Sequence, residues 1–192
     1  MNIQKDECFE NIDFNGIREV EDIRSKSFEK CTFTDCDFTN SDFSNSLFVD
    51  CRFANSNFRA TKLSDTKLHN VDFDDCKILG LDFTQISTFI VKIGFRNSQI
   101  LKCNFSLLEL KESDFSDSCI NQCDFFRTNA AKSNFSGSDL KGSIFENTDL
   151  TKADFTNAQN YSINPLINTI KHAIFTMPEA MTLLDSLEIT IQ

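Results

Sequence analysis

Three kinds of side chain in this sequence could do chemistry: eight cysteines, two histidines and 29 carboxylates. Cys31, Cys36, Cys51, Cys76, Cys103 and Cys123 are spaced by multiples of five residues, once with two added, whereas thiolate zinc sites are built on closely spaced pairs. Cys8 and Cys119 fall outside that series, and no base stands beside either in sequence to generate a nucleophile. His69 and His172 are far apart, fit no triad or metal-ligand spacing, and read as solvated. No glycine-rich phosphate loop is present, and the acids are spread along the chain rather than converging. These observations predict no catalytic residue, no metal and no cofactor, with the six regular cysteines serving as small packing residues in a reducing compartment.

What positions those cysteines is a period of five. Large apolar centres run Phe28, Phe33, Phe38, Phe43, Phe48, Phe53, Phe58, Leu63, Leu68, Phe73, Ile78 and Phe83. They resume at Phe95 and continue through Ile100, Phe105, Leu110, Phe115, Ile120, Phe125, Ala130, Phe135, Leu140, Phe145, Leu150 and Phe155. Two residues before most centres stands a small residue, one of the six cysteines or a Ser, Thr or Ala such as Ser41, Ser138 or Ala153. Helices repeat near 3.6 residues and strands near 2, so neither gives this spacing. A solenoid that turns a corner every five residues does, with the centre and the small residue inward and three polar residues outward. The same rule accounts for 21 Phe beside one Tyr and no Trp.

Stretches such as "CDFTNSDFSNS" and "SNFSGSDLKGSIFENTDLTKADFTNA" resemble the pentapeptide-repeat family over residues 26 to 157. The resemblance implies an all-β fold, a right-handed quadrilateral β-helix with four pentapeptides per coil. Every fourth centre, allowing two inserted residues between 83 and 95, gives Phe33, Phe53, Phe73, Phe95, Phe115, Phe135 and Phe155, one face built of Phe alone. This is the second face below. About six coils at ~4.8 Å each predict a rod about 30 Å long.

Residues 1–25 keep fragments of the pattern, Phe9, Phe14 and Ile23, as an atypical capping coil would. The stretch 84–94, "TQISTFIVKIG", interrupts the rod and puts Phe89 and Ile90 where polar residues stand elsewhere. Its apolar residues fit a bulge packed on a neighbouring coil or a protein contact. In 158–192, Thr176-Met177-Pro178-Glu179 reads as a capping box opening a short helix, and 187–191 alternate like an edge strand. The end is expected to form a homodimer seam through Met181, Leu184, Leu187, Ile189 and Ile191. It also resembles the C-terminal module of the Qnr-type, gyrase-protecting branch of the family, where that module mediates dimerisation.

Net charge is −10, which argues against direct nucleic-acid binding through a basic surface. No basic and apolar leader opens the chain and no stretch reaches a membrane span, so a cytoplasmic protein without membrane contact is expected. The charge is sided: Asp35, Asp72, Asp74, Asp75, Asp114, Asp117 and Asp154 lie on the second face against Arg52 and Arg96. That is too sparse to copy a DNA cylinder, which carries a charge about every 1.7 Å, yet enough for a partly DNA-like patch that enters a basic saddle. The resemblance implies a non-enzymatic partner of DNA gyrase or topoisomerase IV that shields it from inhibitors such as quinolones. The alternative is a scaffold with an unrelated partner, the Asp beside each inward Phe being turn chemistry alone.

Overall fold

The computed structural model describes residues 7–18, 23–89, 91–187 and 189. The chain winds as an all-β, right-handed, four-sided solenoid of about 8 turns. Its strands are short and every strand pair is parallel, each coil lying on the next: Phe28 pairs with Phe48, Phe33 with Phe53 and Phe53 with Phe73. The longest strands, Leu47–Ala54 and Lys67–Asp74, run round the corner from the first face to the second.

The inward ring of each pentapeptide stacks on the ring one coil away. On the second face the ladder is Phe14, Phe33, Phe53, Phe73, Phe95, Phe115, Phe135, Phe155 and Phe175, with centroids 4.7 to 5.4 Å apart and planes within 5° to 22°. The coil rise sets that spacing, and edge-on contacts across the core add the geometry that aromatic quadrupoles prefer, as between Phe115 and Phe125 at 80°. Where a Ser, Thr or Cys stands two residues before a centre, it tucks under the rings and hydrogen-bonds a carbonyl of the preceding coil, as Ser138 to Phe115, Thr148 to Phe125 and Cys123 to Ile100. Serine, threonine and cysteine fill this slot because each is small and carries a donor.

Two residues after nearly every centre the backbone turns left-handed, for example Asp35, Asn40, Asn45, Asp50 and Asn55 at φ +46° to +61°. Asn and Asp tolerate this region better than other residues with a Cβ, which is why they crowd the corners.

The rod is longer than the five-residue count implies. Phe9 stacks on Phe28 at 4.9 Å, Ile23 is fully buried, and at the other end Tyr161, Ile163 and Phe175 carry the core onward. The first coil is one residue short, with Phe9 pairing with Phe28 and Phe14 with Phe33, and Ile163 faces Phe145 two residues early, whereas Phe175 returns to the regular 20-residue spacing from Phe155. At about 4.8 Å per coil the eight turns span about 38 Å.

The interruption is a local device. Asp82 caps a 3-10 turn at Phe83–Gln85, and Ile86 is buried. The ladder resumes with a register shift between His69 and Val71, after which Phe73 pairs with Phe95 and the insertion has been absorbed. At the C-terminal end the expected helix is a 3-10 helix, Glu179–Leu187, with none of its residues fully buried. The edge strand expected over 187–191 is not formed in the described part: Leu187 closes the helix and Ile189 lies in no strand, while 188 and 190–191 fall outside the described residues. Helical hydrogen bonding takes Leu187 before a strand can start.

Candidate partner-binding face

The seven acids of the second face are all outward, but each also has a local task. Asp74 accepts from Arg52 at 2.5 Å and from Asn97 at 3.1 Å. Those two donors, Asn97 first, hold its carboxyl below the usual carboxylate range. Arg96 reaches both Asp72, at 3.4 Å, and Asp114, at 3.6 Å, across Gly94. A Cβ at Gly94 would stand 2.7 Å from Asp72 Oδ1, so the absence of a side chain there lets the carboxylate fold over the strand. Asp35, Asp75 and Asp117 occupy left-handed corners, and Asp35 accepts from Asn55 at 2.5 Å. Asp114 and Asp154 receive the backbone N–H two residues on, from Ser116 and Thr156.

That last bond recurs round the whole rod. Asp37, Asp42, Asp82, Asp124, Asp139 and Asp149, each just before an inward centre, cap the amide two residues later. Asn104, Asn129 and Asn134 do the same without charge. This is the Asx turn, and it supplies a structural reason for Asp in that slot on every face. Where Asp37 also takes the Thr39 hydroxyl, its carboxyl is held below the ordinary range, chiefly by that bond.

Sequence spacing groups the seven acids on one face but does not reveal the ion pairs. Arg52 pairs in the ladder with Asp72, and Asp74 stands one alternate position further on, so laying coil on coil in the sequence is enough to find the Arg52–Asp74 contact. Arg96 is harder to place, because the insertion shifts its register by two.

The apolar candidates divide. Phe89 is 74% exposed and its carbonyl lies 3.2 Å from His69 Nε2, while Val91, two residues on, packs against the core; Ile90 lies outside the described residues. Of the residues expected to form a seam, Met181, Leu187 and Ile189 are exposed, Leu184 is half-buried, and Ile191 lies outside the described residues. Leu183 turns inward against the last coil.

Six cysteines are buried as packing residues; Cys8 is exposed and Cys119 half-buried. Burial pushes the Cys51 and Cys76 thiols up to about 12, the reverse of what a nucleophile requires. Among the described residues no group of three or more His, Cys, Asp or Glu is placed to hold a metal ion, and no helix is long and apolar enough to cross a membrane.

A family model described as a pentapeptide repeat region matches residues 26–105, and one described as pentapeptide repeats in 8 copies matches residues 118–157. Nothing among curated proteins matches the chain. Among solved structures, a trypsin-treated variant of QnrB1, a plasmid-mediated fluoroquinolone resistance protein, is similar in fold. It is 17% identical, with a TM-score of 0.57, and the match covers 96% of this chain and 100% of that one. Full-length QnrB1 is similar at 18% identity and a TM-score of 0.55, over 95% of this chain and 100% of that one.

Proposed function

This chain belongs to the pentapeptide-repeat family, and from that premise we propose that it is a non-enzymatic binding protein that docks on DNA gyrase or a related type II topoisomerase and protects it from inhibitors such as quinolones. The observation that carries the reading is the fold likeness to QnrB1 over 96% of this chain, both end coils included. The second face contributes a sided negative surface, and complementary charge speeds encounter with a basic saddle without matching each phosphate.

In this reading the working unit is a homodimer joined at the C-terminal end. Eight of the eleven exposed large apolar side chains among the described residues lie from Ile144 onward: Ile144, Leu166, Ile167, Ile174, Met177, Met181, Leu187 and Ile189. A soluble surface rarely concentrates apolar groups in this way without a partner.

One observation favours a second reading, a scaffold with an unrelated partner. Ion pairs, Asx turns and left-handed corners give the second-face acids structural reasons to be there. A supercoiling assay with purified gyrase, with and without a fluoroquinolone, separates the two. Protection at micromolar concentration supports the first reading, and no effect there leaves the scaffold.

A further inference from the structure

Three large apolar side chains are exposed ahead of the C-terminal patch, Phe89, Leu101 and Leu107, and two of them flank one corner halfway along the rod. That corner joins the fourth face, centred on Leu63, Phe83, Phe105, Phe125 and Phe145, to the first, centred on Phe28, Phe48 and Leu68. In other coils its outward positions hold Ser44, Asn45, Ser64, Asp65, Thr84, Gln85, Glu146 and Asn147. In two successive coils they hold Leu107 and the pair Phe126–Arg127 instead. The Leu107 N–H donates to the Phe126 carbonyl at 2.9 Å, and the Arg127 guanidinium sits 5.0 Å from the centre of the Phe126 ring.

Neither apolar side chain belongs to the core, Leu107 being exposed and Phe126 half-buried. Leu107 is 65% exposed at φ +64°, and it is the one large apolar residue among the described left-handed positions. A leucine there meets a steric conflict between its Cβ and the backbone that an asparagine tolerates better. Arg127 makes no ion pair among the described residues. The insertion rounds the same corner one coil earlier and exposes Phe89.

We propose that this corner is a protein-docking edge, with Leu107 and Phe126 entering an apolar cleft of the partner and Arg127 meeting a carboxylate at the rim of that cleft. An aromatic and an arginine at the centre of an apolar contact are what binding hot spots are made of, and an arginine with no anionic partner among the described residues fixes the sign of the charge it meets. The occupant is a different protein rather than a second copy. The fourth face carries Asp65, Asp82, Asp124 and Glu146 close by, and two copies facing each other there would oppose like charges.

The proposal rests on the topoisomerase reading for the identity of the probe, purified gyrase tetramer in a surface binding assay. Leu107→Asn and Phe126→Ser restore residue types found at those positions in other coils, so the fold is kept. Leu107→Asn should raise the denaturation midpoint while the double variant weakens binding at least tenfold, and Arg127→Gln should flatten the salt dependence of association. If the parent protein does not bind gyrase, the functional reading falls and the edge with it. If the parent binds and the double variant binds within twofold of it, the edge alone is overturned. A shift of the double variant toward monomer in light scattering would also overturn it, since the occupant would then be a second copy.

Discussion

Arg52 and Asp74, on neighbouring coils of the second face, are joined at 2.5 Å, and Arg96 ties Asp72 to Asp114 two coils on. The middle of the acidic face is thus a lattice of opposite charges, and the carboxylates of the face without an ion pair among the described residues are the corner acids Asp35, Asp75 and Asp117, together with Asp154 toward the C-terminal end.

That lattice sharpens the test of the face. Asp35, Asp75 and Asp117 sit at left-handed corners with no ion pair among the described residues, and asparagine is at home in that conformation. Changing all three to Asn should leave stability within about 0.5 kcal/mol per site. Association with gyrase should slow and lose salt dependence, because rim charges act mainly on encounter. Asp74→Asn, by contrast, removes a half-exposed ion pair worth about 0–1 kcal/mol and leaves Arg52 positive. Equal gyrase protection by the triple variant and the parent would show that the corner acids serve only the turns.

Phe115 tests the ladder. It is fully buried, with Phe95 at 5.4 Å on one side and Phe135 at 4.9 Å on the other. Phe115→Ala should cost ~3–5 kcal/mol in denaturant unfolding, since a rigid stack cannot collapse into the hole. A loss under about 1 kcal/mol would mean that the ladder relaxes freely.

How much of this is legible in the sequence follows from what sets each feature. Phe33 to Phe155 can be read as one stack because every coil must place the same side chain above its neighbour, which writes the coil length into the chain as a period. Phe14 shows in the sequence only as a fragment because its coil is one residue short, and Phe175, though 20 residues after Phe155, is hidden because Asn160 and Pro165 stand where the next two apolar centres would be. The acids of the second face are legible as a set and illegible as pairs. Whether Asp72 is free or bound depends on the reach of Arg96 across Gly94, which no spacing rule encodes. Phe126 is disguised by adjacency: Phe125 and Phe126 look alike in sequence, and only the phase says which points in.

The buried thiols predict a pH response. Burial pushes Cys51 and Cys76 up to about 12, whereas an unfolded thiol titrates at about 8.5. Above that pH the unfolded chain binds fewer protons than the native one, so stability falls as pH rises from about 8.5 toward about 12. Denaturation midpoints should drop across the accessible part of that window, and drop less in a Cys51→Ser, Cys76→Ser variant, since serine fills the same slot elsewhere. A maleimide should label Cys8 readily and Cys119 slowly in the native state, the other six only on unfolding. Equal slopes for parent and variant would rule out the thiols as the cause.

The C-terminal end gives the last test. The helix Glu179–Leu187 turns Leu183 to the core and leaves Met181 and Leu187 outward, with Ile174, Met177 and Ile189 exposed nearby. A 3-10 helix of nine residues runs well beyond the usual length of such helices and buries none of its residues fully, and covering the outward residues with a second copy would remove them from water in a self-complementary way. Deleting residues 177 to 192 should therefore give a monomer in light scattering, while the Phe ladder keeps the rod folded. Met181→Glu with Leu187→Glu should do the same without shortening the chain, because two carboxylates would be buried unpaired on each side of the seam. A dimer that survives both changes would place the seam elsewhere, and the exposed Ile144 and Ile167, which line one 420 Å³ hollow, would be the next residues to change.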